Sequence, residues 1–93
     1  MQENHTTVLA RVTGRVQGVC YRAWTRDEAE ALGLTGWVRN EPDGSVTALL
    51  AGPEADVTRM LEALWRGPPA ARVSGVTSEP AGQGERPLGF RIR

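Results

Sequence analysis

Cysteine and histidine are nearly absent from this chain: each occurs once, as Cys20 and His5. A single cysteine cannot form an internal disulfide, which excludes a small oxidised scaffold and fits a reducing cytoplasm. His5 has no His or Cys nearby to share a metal and falls in a polar start, residues 1–6, expected to be a flexible tail. Neither a metal site nor a cofactor is expected. Apolar runs of membrane-spanning length are missing as well, and the opening Met1–Thr7 lacks the apolar segment of a secretory signal. Net charge is lacking too, because 11 basic and 11 acidic side chains balance to a formal charge of zero. That argues against broad attraction to a nucleic-acid backbone or an anionic membrane surface. The last absence is local. No Asp or Glu lies between Asn4 and Arg26, while Arg11, Arg15, Arg22 and Arg26 all fall there. A basic end on a neutral protein suits a small anion better than a polymer.

What remains reads as an ordinary globular chain, with 40% apolar and 24% charged residues over 93 positions. That length makes one domain, residues 1–93, with a single core, and a monomer is expected. Val8, Ala10 and Val12 alternate with Leu9, Arg11 and Thr13, the pattern of a strand with one buried face. Tyr21, Thr25, Ala29 and Leu32 then recur at helical spacing, and Gly33 is placed to end that helix in a left-handed conformation. Thr35 to Asn40 reads as a second strand. Glu41-Pro42-Asp43-Gly44 is a strong turn signal, so Ser45 to Ala51 should return antiparallel as a third strand. Gly52-Pro53-Glu54 opens a second helix, whose buried stripe is Val57, Met60, Leu61 and Leu64, and Gly67-Pro68-Pro69 stops it. Arg72 to Ser78 reads as a fourth strand with Gly75 as a candidate bulge. Pro80 to Pro87 is a connector, and Leu88 to Arg93 a last strand with Phe90 and Ile92 inward. The order β-α-β-β-α-β with a terminal strand predicts an α+β, ferredoxin-like sandwich: an antiparallel sheet with two helices on one face. That plan hosts many unrelated functions.

One stretch organises the rest: Gly14-Arg15-Val16-Gln17-Gly18-Val19-Cys20-Tyr21-Arg22, between the first strand and the first helix. A glycine-bearing loop entering a helix N-terminus leaves backbone N–H groups without partners, in a field that favours an anion. Arg22 is the odd residue, since the same field opposes a cation in the first helical turn. A bound phosphate would account for it. Gly18 gives room for close approach, and the amides of Gln17, Gly18, Val19, Cys20, Tyr21 and Arg22 are the expected donors if the loop curls into a nest. The Arg22 guanidinium could grip two oxygens at once. Without an anion, the same residues make a plain strand-to-helix loop with a solvated arginine. Asn40, before the turn, is the second candidate. Asn is common at such positions for local hydrogen bonding, but its carboxamide could also hold a water in line for attack. Phosphoryl transfer is chiefly positioning and charge stabilisation, so a neutral orienting group can suffice.

The stretch Gly14–Arg22, followed by Gly33-Leu34-Thr35-Gly36-Trp37-Val38-Arg39-Asn40 and Asp43-Gly44-Ser45-Val46, resembles the acylphosphatase family. The resemblance continues through Gly52-Pro53 and the closing Gly89-Phe90-Arg91-Ile92-Arg93, so it spans nearly the whole chain. It implies a ferredoxin-like fold and metal-independent hydrolysis of small acyl phosphates to a carboxylate and inorganic phosphate. It also implies that the loop and Arg22 bind the phosphoryl group while Asn40 orients the attacking water. The one departure, Cys20-Tyr21, fills a pair that varies in the family and often carries aromatics.

Two other readings compete. Cys20 and Arg26 have the Cys-x5-Arg spacing of cysteine-dependent phosphatases, in which a thiolate attacks phosphorus from a loop of amides. The intervening Tyr21–Thr25 contains no glycine and looks helical, which would carry Arg26 about a turn along the helix. The other rival is a non-catalytic anion-binding regulatory module on the same fold. An RNA-binding version needs aromatics on an open sheet face and a basic surface; Trp37 and Phe90 are scattered and the net charge is zero.

Overall fold

A computed structural model describes residues 4–82 and 87–93. Five strands form one sheet: β1 (His5–Arg15), β2 (Thr35–Asn40), β3 (Val46–Pro53), β4 (Arg72–Pro80) and β5 (Phe90–Ile92). Two helices, α1 (Tyr21–Ala31) and α2 (Glu54–Arg66), complete it. The sheet order is β4-β1-β3-β2-β5, and every neighbouring pair is antiparallel except β2 and β5, which run parallel. The expected ferredoxin-like sandwich is therefore present, with a mixed rather than purely antiparallel sheet. The parallel strand follows from where the chain returns: β5 joins the outer edge beside β2 rather than continuing a hairpin.

The connectivity places the functional end of the molecule. β1 and β2 both run antiparallel to β3, so they run in the same direction and end at the same edge of the sheet. Val46 marks the level, pairing with Val12 on one side and with Asn40 on the other. The loop that follows β1 and the last residue of β2 therefore emerge together, with only β3 between them.

Both helices pack their apolar stripes on one side of the sheet. Tyr21 and Ala29 from α1, Val57, Met60 and Leu64 from α2, and Val12, Val38 and Leu50 from the strands share one buried cluster. Each Val, Leu or Met side chain removed from water there contributes about 1.5–3 kcal/mol before entropy is subtracted. β3 is central and buried along both faces, because Thr47, Leu49 and Ala51 on the open side are covered as well. A row across that side, Leu9–Leu49–Trp37, explains the cover. The guanidinium carbons of Arg39 and Arg93 lie 4.8 and 4.6 Å from the Trp37 ring centre, so the indole is only 6% exposed.

Several boundaries differ from expectation. β1 begins at His5, so His5 and Thr6 belong to a strand that pairs with Pro53 and Gly52 rather than to a tail. Residues 1–3 of the expected tail lie outside the described residues, as do residues 83–86 of the connector. The bulge in β4 falls at Ser74, since Gly14 pairs with Val73 and Thr13 with Gly75. β5 shrinks to Phe90–Ile92; Phe90 is buried as expected, but Ile92, at the sheet's edge, is 38% exposed rather than inward.

Candidate active site

The loop between β1 and α1 is held at both ends by the core. Val16 is buried before it, and Tyr21 is buried after it with its hydroxyl donating to the Leu64 carbonyl of α2 at 2.6 Å. Burial pushes the Tyr21 phenol well above its ordinary pKa. Its ring is thus a structural anchor, and only its main chain faces the loop. Between the anchors Gly18 and Cys20 take positive φ of 73° and 63°, whereas Gln17 and Val19 do not. Alternation of this kind is the backbone pattern of a nest, in which successive N–H groups can turn toward one side. Gly18 adopts its angle freely, whereas Cys20 pays a steric penalty that only the surrounding structure sustains.

The loop leads directly into the start of α1. The first helical bond runs from the Trp24 N–H to the Cys20 carbonyl at 3.0 Å, which leaves the N–H groups of Tyr21, Arg22 and Ala23 without helical acceptors. No acidic side chain stands in the first turn, and no side chain caps the helix. Arg22, in that turn, is half-buried, and its guanidinium donates to a main-chain oxygen of Arg93 at 3.0 Å. Arg93 is in turn fixed by its N–H to the Val38 carbonyl at 2.8 Å, two residues before Asn40. Asn40 itself is exposed as the last residue of β2.

The Gln17 side chain closes the gap between loop and turn. Its Nε2 donates to the Glu41 carbonyl at 2.8 Å and to the Ser45 carbonyl at 2.9 Å. Gln17 was expected to offer only its amide; the structure gives its carboxamide a second task. The turn it grips is well ordered internally. Gly44, at φ 93°, lets its N–H reach the Glu41 carbonyl at 3.1 Å, and Asp43 accepts from the N–H and hydroxyl of Ser45 at 3.0 and 2.6 Å. The other carboxylate oxygen of Asp43 pairs with Arg11 of β1. Ser45 holds the Asp43 carboxyl below its usual range, and Arg39, at 2.7 Å, does the same for Glu41. Both carboxylates are thus committed to partners of their own beside Asn40.

Cys20 is exposed at the helix cap, but Arg26 does not join it. The segment between them is helical, and the Arg26 guanidinium lies 3.3 Å from the Asp27 carboxylate. The Cys-x5-Arg spacing thus spans more than a helical turn rather than wrapping an anion. The loop residues, Arg22 and Asn40 share one edge of the molecule; Arg26 and the Tyr21 ring do not serve it.

The chain is thus an α+β, split βαβ sandwich in which a loop with two left-handed residues feeds an acid-free helix N-terminus. The acylphosphatase family model matches residues 8–92, and the chain belongs to that family. An acylphosphatase of Rhizobium meliloti (strain 1021) is 62% identical over 92 residues, covering 99% of this chain and 97% of the relative. Among solved structures, an acylphosphatase from Coxiella burnetii superposes with a TM-score of 0.92 at 40% identity, covering 100% of this chain and 99% of the other. The Bacillus subtilis acylphosphatase gives 0.89 at 34% identity, covering 94% and 97%.

Proposed function

We propose that this protein hydrolyses the carboxyl–phosphate bond of small acyl phosphates, with Arg22 and the amides of Gln17–Arg22 holding the phosphoryl group and Asn40 orienting water. The observation that carries the residue roles is the shared edge: an arginine in an acid-free first turn, on a nest-like loop, level with a strand-end asparagine. Membership of the family supports the reaction.

The chemistry is short. Arg22 and the loop amides offset charge on the phosphoryl oxygens. Asn40 places a water opposite the carboxylate; the water oxygen bonds to phosphorus as the bond from phosphorus to the carboxylate oxygen breaks. The Glu41 carboxylate is engaged by Arg39 and that of Asp43 by Ser45 and Arg11, and on this reading the water proton passes to a phosphoryl oxygen of the substrate. A carboxylate leaves readily without protonation. The reading includes one domain acting as a cytoplasmic monomer on a small molecule, without metal, nucleic acid or membrane. In its support, no helix among the described residues is long and apolar enough to cross a membrane, and the one aromatic on the open sheet face, Trp37, is covered.

The test assays a small aromatic acyl phosphate beside a phosphate monoester, with and without chelator. Fast, chelator-resistant turnover of the acyl phosphate alone is expected. Phosphate-induced shifts of the loop amides without hydrolysis would indicate the non-catalytic anion-binding module instead. Loss of activity in a folded Cys20→Ser variant would overturn the mechanism in favour of a thiol nucleophile.

A further inference from the structure

We infer that Gln17 is a positioning residue, whose side chain sets Asn40 against the phosphate loop; this rests on the roles proposed for Asn40 and the loop. The two halves of the site come from strands that do not touch. β3 separates β1 from β2, so nothing in the sheet ladder joins the loop after β1 directly to the end of β2. Strands are spaced by about 4.8 Å, so the two ends stand roughly 10 Å apart before any loop bridges them. In-line attack tolerates little error, and a displacement of about 1 Å can cost about 100-fold.

The Gln17 carboxamide spans that gap. Its two N–H groups go to the two carbonyls that flank the hairpin turn, Glu41 and Ser45, which immediately follow Asn40 and precede its partner Val46. Both carbonyls have another donor already: the Gly44 N–H for Glu41 and the Glu41 N–H for Ser45. The turn therefore closes without Gln17, so these bonds fix where the turn sits rather than whether it forms. A second tie between β1 and the turn, Arg11 to Asp43, lies more than half exposed at both side chains and contributes little under solvent screening. It also holds the turn's tip, whereas Gln17 holds the carbonyl adjoining Asn40.

Gln17→Met keeps the length of the side chain and removes both donors. We expect kcat to fall about 10- to 100-fold, with inhibition by inorganic phosphate little changed, because the loop amides and Arg22 remain. In an Asn40→Ala background the same substitution should lower kcat no further, since the group it positions is gone. Gln17→Leu, uncharged and likewise without donors, should show the same fall in kcat. Arg11→Ala should leave kcat unchanged. Parental kcat in the Gln17 variants overturns the inference, as do additive losses in the double variant or weakened phosphate inhibition equal to the loss of kcat. The proposed role of Asn40 fails separately: parental kcat in Asn40→Ala alone overturns it and this inference together.

Discussion

The two helices of this protein start in the same way and end up serving opposite purposes. Each follows a strand, and neither has a side-chain hydrogen bond at its N-cap. α2 settles its own positive end: Glu54 and Asp56 stand in its first turn, and the Glu54 N–H donates to the Asn4 carbonyl at 2.7 Å. α1 has no acid there, enters through a left-handed Cys20 and adds a cation, Arg22. The helix dipole favours the acids at the start of α2 and opposes the cation at the start of α1. The difference separates a helix end that carries its own acids from one that carries none.

Breaking the α1 side should have the largest effects. Arg22→Ala removes the charged grip that the proposed mechanism gives the phosphoryl group; arginines that stabilise phosphoryl-transfer transition states contribute about 10³–10⁵-fold. A loss of that order in kcat/KM is expected, with weaker inhibition by inorganic phosphate. Asn40→Ala should lower kcat by about 10²–10³-fold while sparing phosphate inhibition, since a preorganised polar contact to the reacting atoms is lost. Near-parental turnover in either variant would remove that residue from the mechanism.

A gentler substitution makes α1 resemble α2. Ala23→Glu puts a carboxylate in the first turn and should raise stability by about 0.3–1 kcal/mol, measured by urea denaturation. The same charge should compete with phosphate and weaken its inhibition by at least about fivefold, the equivalent of roughly 1 kcal/mol. Stability and affinity moving in the same direction would contradict the comparison. The converse change, Glu54→Gln with Asp56→Asn in α2, should have the smallest effect. It should cost about 0.3–1 kcal/mol of stability per charge and leave kcat/KM unchanged.

The contrast also shows what sequence patterning could reach. β2 was legible to the residue because local signals bracket it: Gly33 stops α1, and Glu41–Gly44 forces the turn. Arg22 and Asn40 stood out on local grounds as well, one as a cation against a dipole and the other as an amide before a turn. What was not legible depends on partners distant in sequence. Thr6 and Thr7 become strand only by pairing with Gly52 and Ala51. β5 is parallel because of the edge it joins, and no periodicity encodes an edge. The exposed Ile92 follows from the same position. Gln17 looked like one amide donor among several, since nothing nearby reveals that its carboxamide meets a turn 24 residues away.

The central claim is that the open end of α1, and not the closed end of α2, is the phosphate seat. Titrating the ¹⁵N-labelled protein with inorganic phosphate tests it directly. The account predicts saturable shifts concentrated in the amides of Gln17–Arg22, with those of Glu54–Val57 unmoved. Shifts centred on α2, or a silent loop at phosphate concentrations that inhibit hydrolysis, would contradict it.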